Sequence, residues 1–406
     1  MITIPQSKEY KKKKRFDINS YKKPFFFNEV KGYKLARYPK FKNKKFWKSS
    51  DIYKKERILI ISGPGRSGNH LFNALIDGNK SFSNCVGEDS FLSGIFSQAI
   101  KNEKRIITSL KSGKFNFYNK LSQFKKNFEL KNKWGKVYKT FVLFSKKSKK
   151  QKKILFKKWY YRPSGNQPGK ATYILDYRNF IPNIDYKNFK AFFVKERNKF
   201  KKIENIFDFI FLYLKAIRIL MRTEKKNFKY KNIIFESGMR RESYFLLKNH
   251  NNTILLCPIR KFDGMLMSFL KARHNFTSVR SLRKKNVLLY WAFWRHKVID
   301  YLILQKKFPK KVFLINYENL VNSPEKSMKM ILGKIGVKYE KKNKFPTIQN
   351  KLVAGNSSFT SNGNSKLGKI YKNNFFKKFK INEKVKFNDE YYDILKYINK
   401  KIINKI

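Results

Sequence analysis

In Arg57-Ile-Leu-Ile-Ile-Ser-Gly-Pro-Gly-Arg-Ser-Gly-Asn-His-Leu-Phe-Asn-Ala-Leu-Ile-Asp77 an apolar run, a glycine-rich turn and a helical pattern follow one another without a break. Ile58 to Ile61 reads as a buried parallel strand, since every position is apolar rather than every second one. Gly63, Pro64, Gly65 and Gly68 make a tight turn, and Leu71, Leu75 and Ile76 then recur at helical spacing. A strand, a glycine-rich turn and a helix aim several backbone N–H groups at an anion, and the helix N-terminus adds partial positive charge. No Lys-Ser/Thr pair follows the last glycine, which argues against a nucleotide triphosphatase loop with its phosphate lysine and magnesium hydroxyl. Arg66 and Ser67 sit inside the turn instead, where a guanidinium can grip a phosphate through two parallel bonds. The plain alternative is a strand-to-helix turn that holds no ligand.

Outward from this unit the same alternation returns. Apolar runs at Ile233 to Phe235, Thr253 to Leu256 and Val312 to Ile315 read as further buried strands. Between and after them, helices are predicted over Asp263 to Ala272, 286–305 with Trp291 and Trp294, and 388–402. Another begins with Asn322 or Ser323 as N-cap, Pro324 in the first turn and Glu325 near the positive end, and closes before Gly336. Alternating strands and helices predict an α/β fold with a mainly parallel central sheet flanked by helices. Residues 1–50 are lysine- and aromatic-rich without period and are expected to form a basic N-terminal extension. The main domain is expected over 51–370, with a long basic insertion at about 90–230, and a basic C-terminal segment over 371–406. Within the insertion, Lys147 to Lys153 reads as exposed, Ala171 to Tyr177 as strand and 203–223 as helix.

The 406 residues include 95 Lys+Arg against 27 Asp+Glu, a formal net charge of +68. Such a field favours anionic ligands at low salt and is compatible with nucleic acid, a membrane surface, or an anionic substrate. The lysines are spread along the whole chain rather than clustered, which fits compositional drift as well as a dedicated patch. No helix-turn-helix, zinc-finger or RNP-like motif supports a specific nucleic-acid partner. Cys85 and Cys257 are too few for a disulfide framework, and the two cysteines and four histidines have no metal-ligand spacing, so no metal is expected. Met1 to Ser7 is short and polar-tipped with lysines following at once, so no signal peptide is expected. Ile206 to Met221 contains Asp208, Lys215 and Arg218 and reads as a buried amphipathic helix, not a membrane span. The expected location is cytoplasmic, with peripheral membrane contact left open.

Two more constellations complete the pattern. Arg260 leaves the end of the strand Leu255-Leu256-Cys257-Pro258-Ile259, and Ser268 follows eight positions later, two turns into the next helix. Both could converge on one phosphate at the carboxyl edge of the sheet, where open α/β sheets bind ligands. Asn316-Tyr317-Glu318-Asn319-Leu320 is the third. Together the three resemble the sulfotransferase superfamily, enzymes that use 3′-phosphoadenosine 5′-phosphosulfate (PAPS) as donor. Arg66-Ser67-Gly68-Asn69-His70 matches that family's Arg-Ser-Gly-Thr-Thr-like core, with Gly65 before it, and the resemblance implies that it holds the 5′-phosphosulfate. Arg260 and Ser268 match its 3′-phosphate pair. Tyr317 to Leu320 with Pro324 matches its Tyr-Glu-x-Leu strand and helix start.

The nearest motif flavour is the branch of protein-tyrosine and Golgi-type sulfotransferases, in which a Gly-Glu-Glu element supplies the general base. Cys85-Val86-Gly87-Glu88-Asp89 stands at that place, so Glu88 or Asp89 is the implied base, at the end of a second strand beside the anion site. The resemblance further implies a catalytic, charge-stabilising role for Arg66 and a place for Tyr317 in the nucleotide pocket, against its plain reading as a core aromatic. The chain departs from the family in Asn69 and His70, which replace two threonines but can still donate, and His70 stands as a rival base. It departs again at Phe235-Glu236-Ser237, where many members carry a lysine. Gly355-Asn356-Ser357-Ser358 loosely matches a loop that closes on the 3′-phosphate. The acceptor implied is a glycan, lipid-linked sugar or small alcohol, with Trp159, Tyr160 and Tyr161 as candidate sugar-stacking residues. The rivals are a polyanion or nucleic-acid binder, a nucleotide kinase, and a sulfotransferase-like protein retained for binding alone.

Overall fold

The computed structural model describes residues 1–21, 57–77, 79–88, 232–236, 241–274, 282–348, 351–352, 368–370, 381 and 384–406. Asp89, the insertion at 90–230, Ser237 and 355–358 lie outside the described residues, and the readings made for them stand as expectations.

The centre is a five-stranded parallel sheet, as the alternation predicts. Its strands are β2 (Arg57–Ile61), β3 (Phe82–Glu88), β4 (Asn232–Glu236), β5 (Thr253–Ile259) and β6 (Val312–Asn316), in the spatial order β3-β4-β2-β5-β6. Two small sheets stand apart: β1 (Ile2–Thr3) runs parallel to β9 (Val385–Lys386), and β7 (Thr347–Ile348) pairs with β8 (Lys351–Leu352). Among the described residues the α-helices are α1 (Lys8–Lys13), α2 (Asn69–Ile76), α3 (Arg241–Asn249), α4 (Phe262–His274), α5 (Lys284–Lys307), α6 (Tyr317–Asn322), α7 (Pro324–Lys334) and α8 (Asp389–Lys401).

Every residue from Ile58 to Ile61 is fully buried, because helices cover both faces of the sheet. Leu59, Ile61, Leu256 and Ile315 pack with Leu71, Phe72, Leu75 and Ile76 of α2, and with Leu320, Met328, Ile331 and Leu332 of α6 and α7. On burial of that kind a leucine or isoleucine contributes about 1.5–3 kcal/mol each. The long helix α5 follows its sequence pattern, with Trp291, Trp294, Val298, Tyr301 and Leu302 buried.

One expectation is corrected. Tyr317 to Leu320 belongs to a helix, α6, not to a strand: β6 stops at Asn316, whose side chain accepts the Asn319 N–H at 2.9 Å and so caps the helix. The second strand, which ends in Glu88, is separated from β2 by one place in the sheet. β4 sits between them, so Glu88 is roughly 10 Å across the sheet from β2 at two interstrand spacings. That crossover skips one place, which the return of the chain at β4 fills.

Ordered pairing also reaches the ends of the chain. Ser7 caps α1 by accepting the Tyr10 N–H, and Asn388 caps α8, supporting the expected terminal helix. Glu390 in α8 accepts the Ser7 N–H at 2.6 Å and the Tyr21 hydroxyl at 3.0 Å, while Trp291 Nε1 donates to the Pro5 carbonyl at 3.0 Å. Residues 1–21 and 384–406 are thereby clasped together on α5. Among the described residues no helix is long and apolar enough to cross a membrane.

Candidate anion-binding site

From β2 the chain moves outward to β3 and back to β4, then crosses to β5 on the other side of β2. The carboxyl ends of β2 and β5 therefore flank a topological switch point, the place where open parallel sheets hold ligands. The two turns singled out by the sequence, 62–68 and 260–261, leave from these two ends.

β5 continues past the end of β2. Ile61 pairs with Leu256, whereas Cys257, Pro258 and Ile259 pair only with β6 among the described residues. Pro258, which lacks an N–H, stands where β5 has no partner on the β2 side to receive one. Its carbonyl instead comes against Gly63, and a Cβ there would collide with that oxygen. Ser62 N–H donates to the Leu256 carbonyl at 3.0 Å, and its hydroxyl pairs with the Tyr301 hydroxyl at 2.9 Å. The first turn is thus pinned to β5 on one side and to α5 on the other.

Asn69 closes that turn on itself. Its Oδ1 accepts the Gly63 N–H at 3.0 Å and its Nδ2 donates to the Gly63 carbonyl at 3.4 Å. The amide expected to face a phosphate is therefore engaged with the turn's own backbone. Ser67 N–H donates to the Pro64 carbonyl at 3.1 Å, which tightens the bend. Gly68 has φ 88°, open to glycine at no cost, and a Cβ on it would strike the Tyr317 ring. Arg66 also stands in the left-handed region, at φ 68°, where a side chain is strained.

The second turn meets the first through side chains. Arg66 Nε donates to Ser268 Oγ at 3.2 Å and its terminal nitrogen reaches the Ser268 carbonyl at 3.5 Å. Arg260 Nη1 donates to the Arg66 carbonyl at 3.4 Å, and the Arg260 guanidinium lies over the Tyr317 ring, 4.6 Å from its centre. Arg260 is 5% exposed, Ser268 5% and Tyr317 4%. Trp294 Nε1 donates to the Arg260 carbonyl at 2.8 Å, and Gly264 leaves room for the guanidinium, whose Nε would lie 2.7 Å from a Cβ there. Four predicted residues, Arg66, Arg260, Ser268 and Tyr317, form one contact chain across the switch point. Tyr317 is buried, with its ring packed between Gly68 and the Arg260 guanidinium.

Donors dominate the electrostatics. Ser67 Oγ is fully buried without a hydrogen-bond partner among the described residues, which for a hydroxyl costs about 1–3 kcal/mol. Glu318 and Asp263 are nearby acids, and Glu318 Oε1 accepts the Lys261 N–H at 3.0 Å. Burial raises the Glu318 pKa, while that N–H and the Arg260 charge act the other way. Burial pushes the Cys257 thiol well up, which leaves it inert in mid-strand.

Among the candidate bases, Glu88 ends β3 and its register partner is Glu236, the last residue of β4, itself level with Ile61 of β2. Both acids thus stand at the carboxyl edge of the sheet, the edge from which the two turns depart. His70 is the second residue of α2 and half-buried. Sequence reading named Trp294 only as part of a helix, and missed Tyr301 and the aromatic floor beneath Gly65. In that floor Phe269 stacks on Tyr290 at 4.7 Å, and Phe293 meets Phe269 edge-on at 5.6 Å. The heptad-like recurrence of Tyr290, Phe293, Trp294 and Tyr301 in one helix was the available signal, but it reads equally as core.

Neither a protein-family model nor a curated protein matches the sequence. Two solved structures that resemble the chain are sulfotransferase domains. One is from the Synechococcus PCC 7002 olefin synthase, at 14% identity and TM-score 0.37 over 72% of this chain and 76% of that one. The other is from the curacin biosynthetic pathway, at 12% identity and TM-score 0.36 over 72% of this chain and 77% of that one. Overlap of this size leaves the sheet order and the residues of the two turns to carry any functional reading.

Proposed function

We propose that the chain is a sulfotransferase that moves the sulfuryl group of PAPS to a hydroxyl of a glycan, lipid-linked sugar or other small acceptor. The observation that carries this reading is the junction of the two turns, with Arg66 Nε 3.2 Å from Ser268 Oγ and Arg260 bonded to the Arg66 carbonyl. Had the turns faced apart, no single nucleotide could touch both. The donor set fits a bisphosphorylated nucleotide: two guanidiniums, the Ser268 hydroxyl, the orphaned Ser67 hydroxyl and the N–H groups at the start of α2. When bound, PAPS supplies the activated sulfuryl group and a phosphate leaving group.

Sulfuryl transfer, like phosphoryl transfer, runs through a loose in-line transition state, so the protein's work is positioning and charge stabilisation. In this reading the 62–68 turn orients the 5′ end and stabilises charge as it grows on the leaving oxygen. Arg260 and Ser268 fix the 3′-phosphate. Glu88 or Asp89 removes the proton of the acceptor hydroxyl, a contribution of about 10²–10⁴ in rate. Glu236, in register with Glu88, is a further acid at the same edge. A nucleotide-binding protein without transfer activity is the second reading, favoured by Glu236 at the place where many sulfotransferases carry lysine.

Calorimetry with adenosine 3′,5′-bisphosphate and ATP tests the binding claim: the bisphosphate is expected to bind tightly and ATP poorly, and equal binding counts against it. Transfer of labelled sulfate from PAPS to glycan and lipid fractions tests the chemistry. Binding without transfer to any fraction favours the second reading. Glu88→Gln and Asp89→Asn then separate the base candidates, since only loss of turnover with nucleotide binding intact marks the base.

A further inference from the structure

Among the described residues β6 pairs with β5 on one edge, and its other edge meets residues 402–404. Ile402 bridges Leu314 in parallel, and the Ile403 N–H donates to the Leu314 carbonyl at 3.0 Å. Asn404, fully buried, then does with a side chain what a neighbouring strand would do with its backbone. Its Oδ1 accepts the Asn316 N–H at 2.8 Å, and its Nδ2 donates to the Asn316 carbonyl at 3.0 Å. The same Nδ2 donates to the Ser327 hydroxyl of α7 at 3.3 Å, and the Asn404 carbonyl accepts from Asn319 Nδ2 at 2.8 Å. One asparagine thus holds together the last residue of β6, the first turn of α6 and the start of α7.

That joint matters because of what leaves it. Asn316 is in register with Ile259, so Tyr317 and Arg260 depart from adjacent strand ends. Asn316 Oδ1 accepts the Asn319 N–H, and the Asn319 side chain is held in turn by Asn404, so the first turn of α6 is gripped at both ends. The two residues in that interval are the ones that reach the site. The Tyr317 ring packs on Gly68 and the Arg260 guanidinium, and Glu318 Oε1 accepts the Lys261 N–H. We infer that Asn404 is a positioning residue for the junction of the two turns, acting through Asn316 and α6 rather than by contact with a ligand. Without its amide, the Asn316 N–H and carbonyl lose their partner and recover hydrogen bonds only by turning toward water, which carries α6 with them. The consequence for ligand binding rests on the nucleotide reading above; the consequence for the geometry of the junction does not.

The test compares Asn404→Ala with Arg295→Ala in the full chain, by calorimetry with adenosine 3′,5′-bisphosphate and by amide hydrogen exchange. Asn404→Ala is expected to weaken the bisphosphate about 3–10-fold in the folded protein, the size of one hydrogen bond lost from a site. Exchange at the Lys261 amide should quicken relative to the amides of β2, because Glu318 no longer holds it. Arg295→Ala, which removes a buried cation elsewhere, should lower stability and move neither readout. In a Tyr317→Ala background the affinity loss from Asn404→Ala should shrink, and losses that simply add overturn the route through that ring. Should Asn404→Ala fail to fold, Asn319→Ala removes the side-chain bond to the Asn404 carbonyl and keeps the cap, with the same two changes expected at smaller size. Unchanged Lys261 exchange, or unchanged affinity where the wild type binds, overturns the inference whatever the loss of stability. A wild type that binds no bisphosphate overturns the nucleotide reading, and the exchange result alone then decides the role of Asn404.

Discussion

Arg295 and Arg260 are buried to nearly the same depth, 2% and 5% exposed, and their surroundings differ in kind. Arg295 lies 3.8 Å from Glu390, a carboxylate with no exposure of its own, and that carboxylate also gathers the Ser7 N–H and the Tyr21 hydroxyl. Charge meets charge there, and the result ties both ends of the chain to α5. Arg260 meets the face of Tyr317 and the carbonyl of Arg66, with Glu318 engaged to Lys261 N–H close by. The first setting neutralises a cation so that it can be structural. The second sets a cation against an aromatic ring and a backbone carbonyl, at the junction of the two turns.

The largest effect separates the two at once. Arg295→Ala leaves Glu390 buried without its cation, and a loss of about 3–5 kcal/mol in unfolding free energy is expected by chemical denaturation. Nucleotide affinity in the fraction that remains folded should be unchanged. Arg260→Ala should invert this pattern: binding of adenosine 3′,5′-bisphosphate falls by about 1.5–3 kcal/mol, with a smaller change in the denaturation midpoint. Similar losses of stability in both variants would erase the distinction.

Gly68→Ala sharpens the site half of the comparison. The new Cβ strikes the Tyr317 ring and φ 88° strains it, for a cost of about 1–3 kcal/mol in thermal unfolding. Adding Tyr317→Ala should recover part of that loss if the ring is the obstacle, and none if the backbone alone is responsible.

The smallest effect concerns Glu318. Burial raises its pKa above the ordinary carboxyl value, so the folded state holds its proton where the unfolded chain has released it. Stability from this group is full below the unfolded pKa and declines as pH rises through the folded one. Glu318→Gln should flatten that part of the pH–stability curve. An unchanged slope would mean that Arg260 and the Lys261 N–H fully offset desolvation.

The outcome also shows which parts of the molecule are written locally. β2, its turn and α2 were legible because each depends on neighbours within a few residues: apolar continuity, glycines and helical spacing. The same holds for the Asn322–Pro324–Glu325 helix start, realised as α7 with Pro324 at its first position. The apolar pattern itself ended the strand from Val312 at Ile315; it was the resemblance that carried Tyr317 to Leu320 onto a strand, where the Asn316 cap starts a helix instead. The place of the Glu88 strand two positions from β2 was not legible, because strand order is not encoded in any one segment.

By itself the sequence determined the α/β class, the parallel sheet and the residues worth watching, since these follow from periodicity and from the conformational limits of glycine and proline. Only the tertiary structure decided that Arg66 reaches Ser268, 202 residues away, that Asn69 turns back on Gly63, and that Glu88 and Glu236 stand level at one edge. Those are matters of strand order and register, and they are set by how whole layers bury their apolar faces against one another.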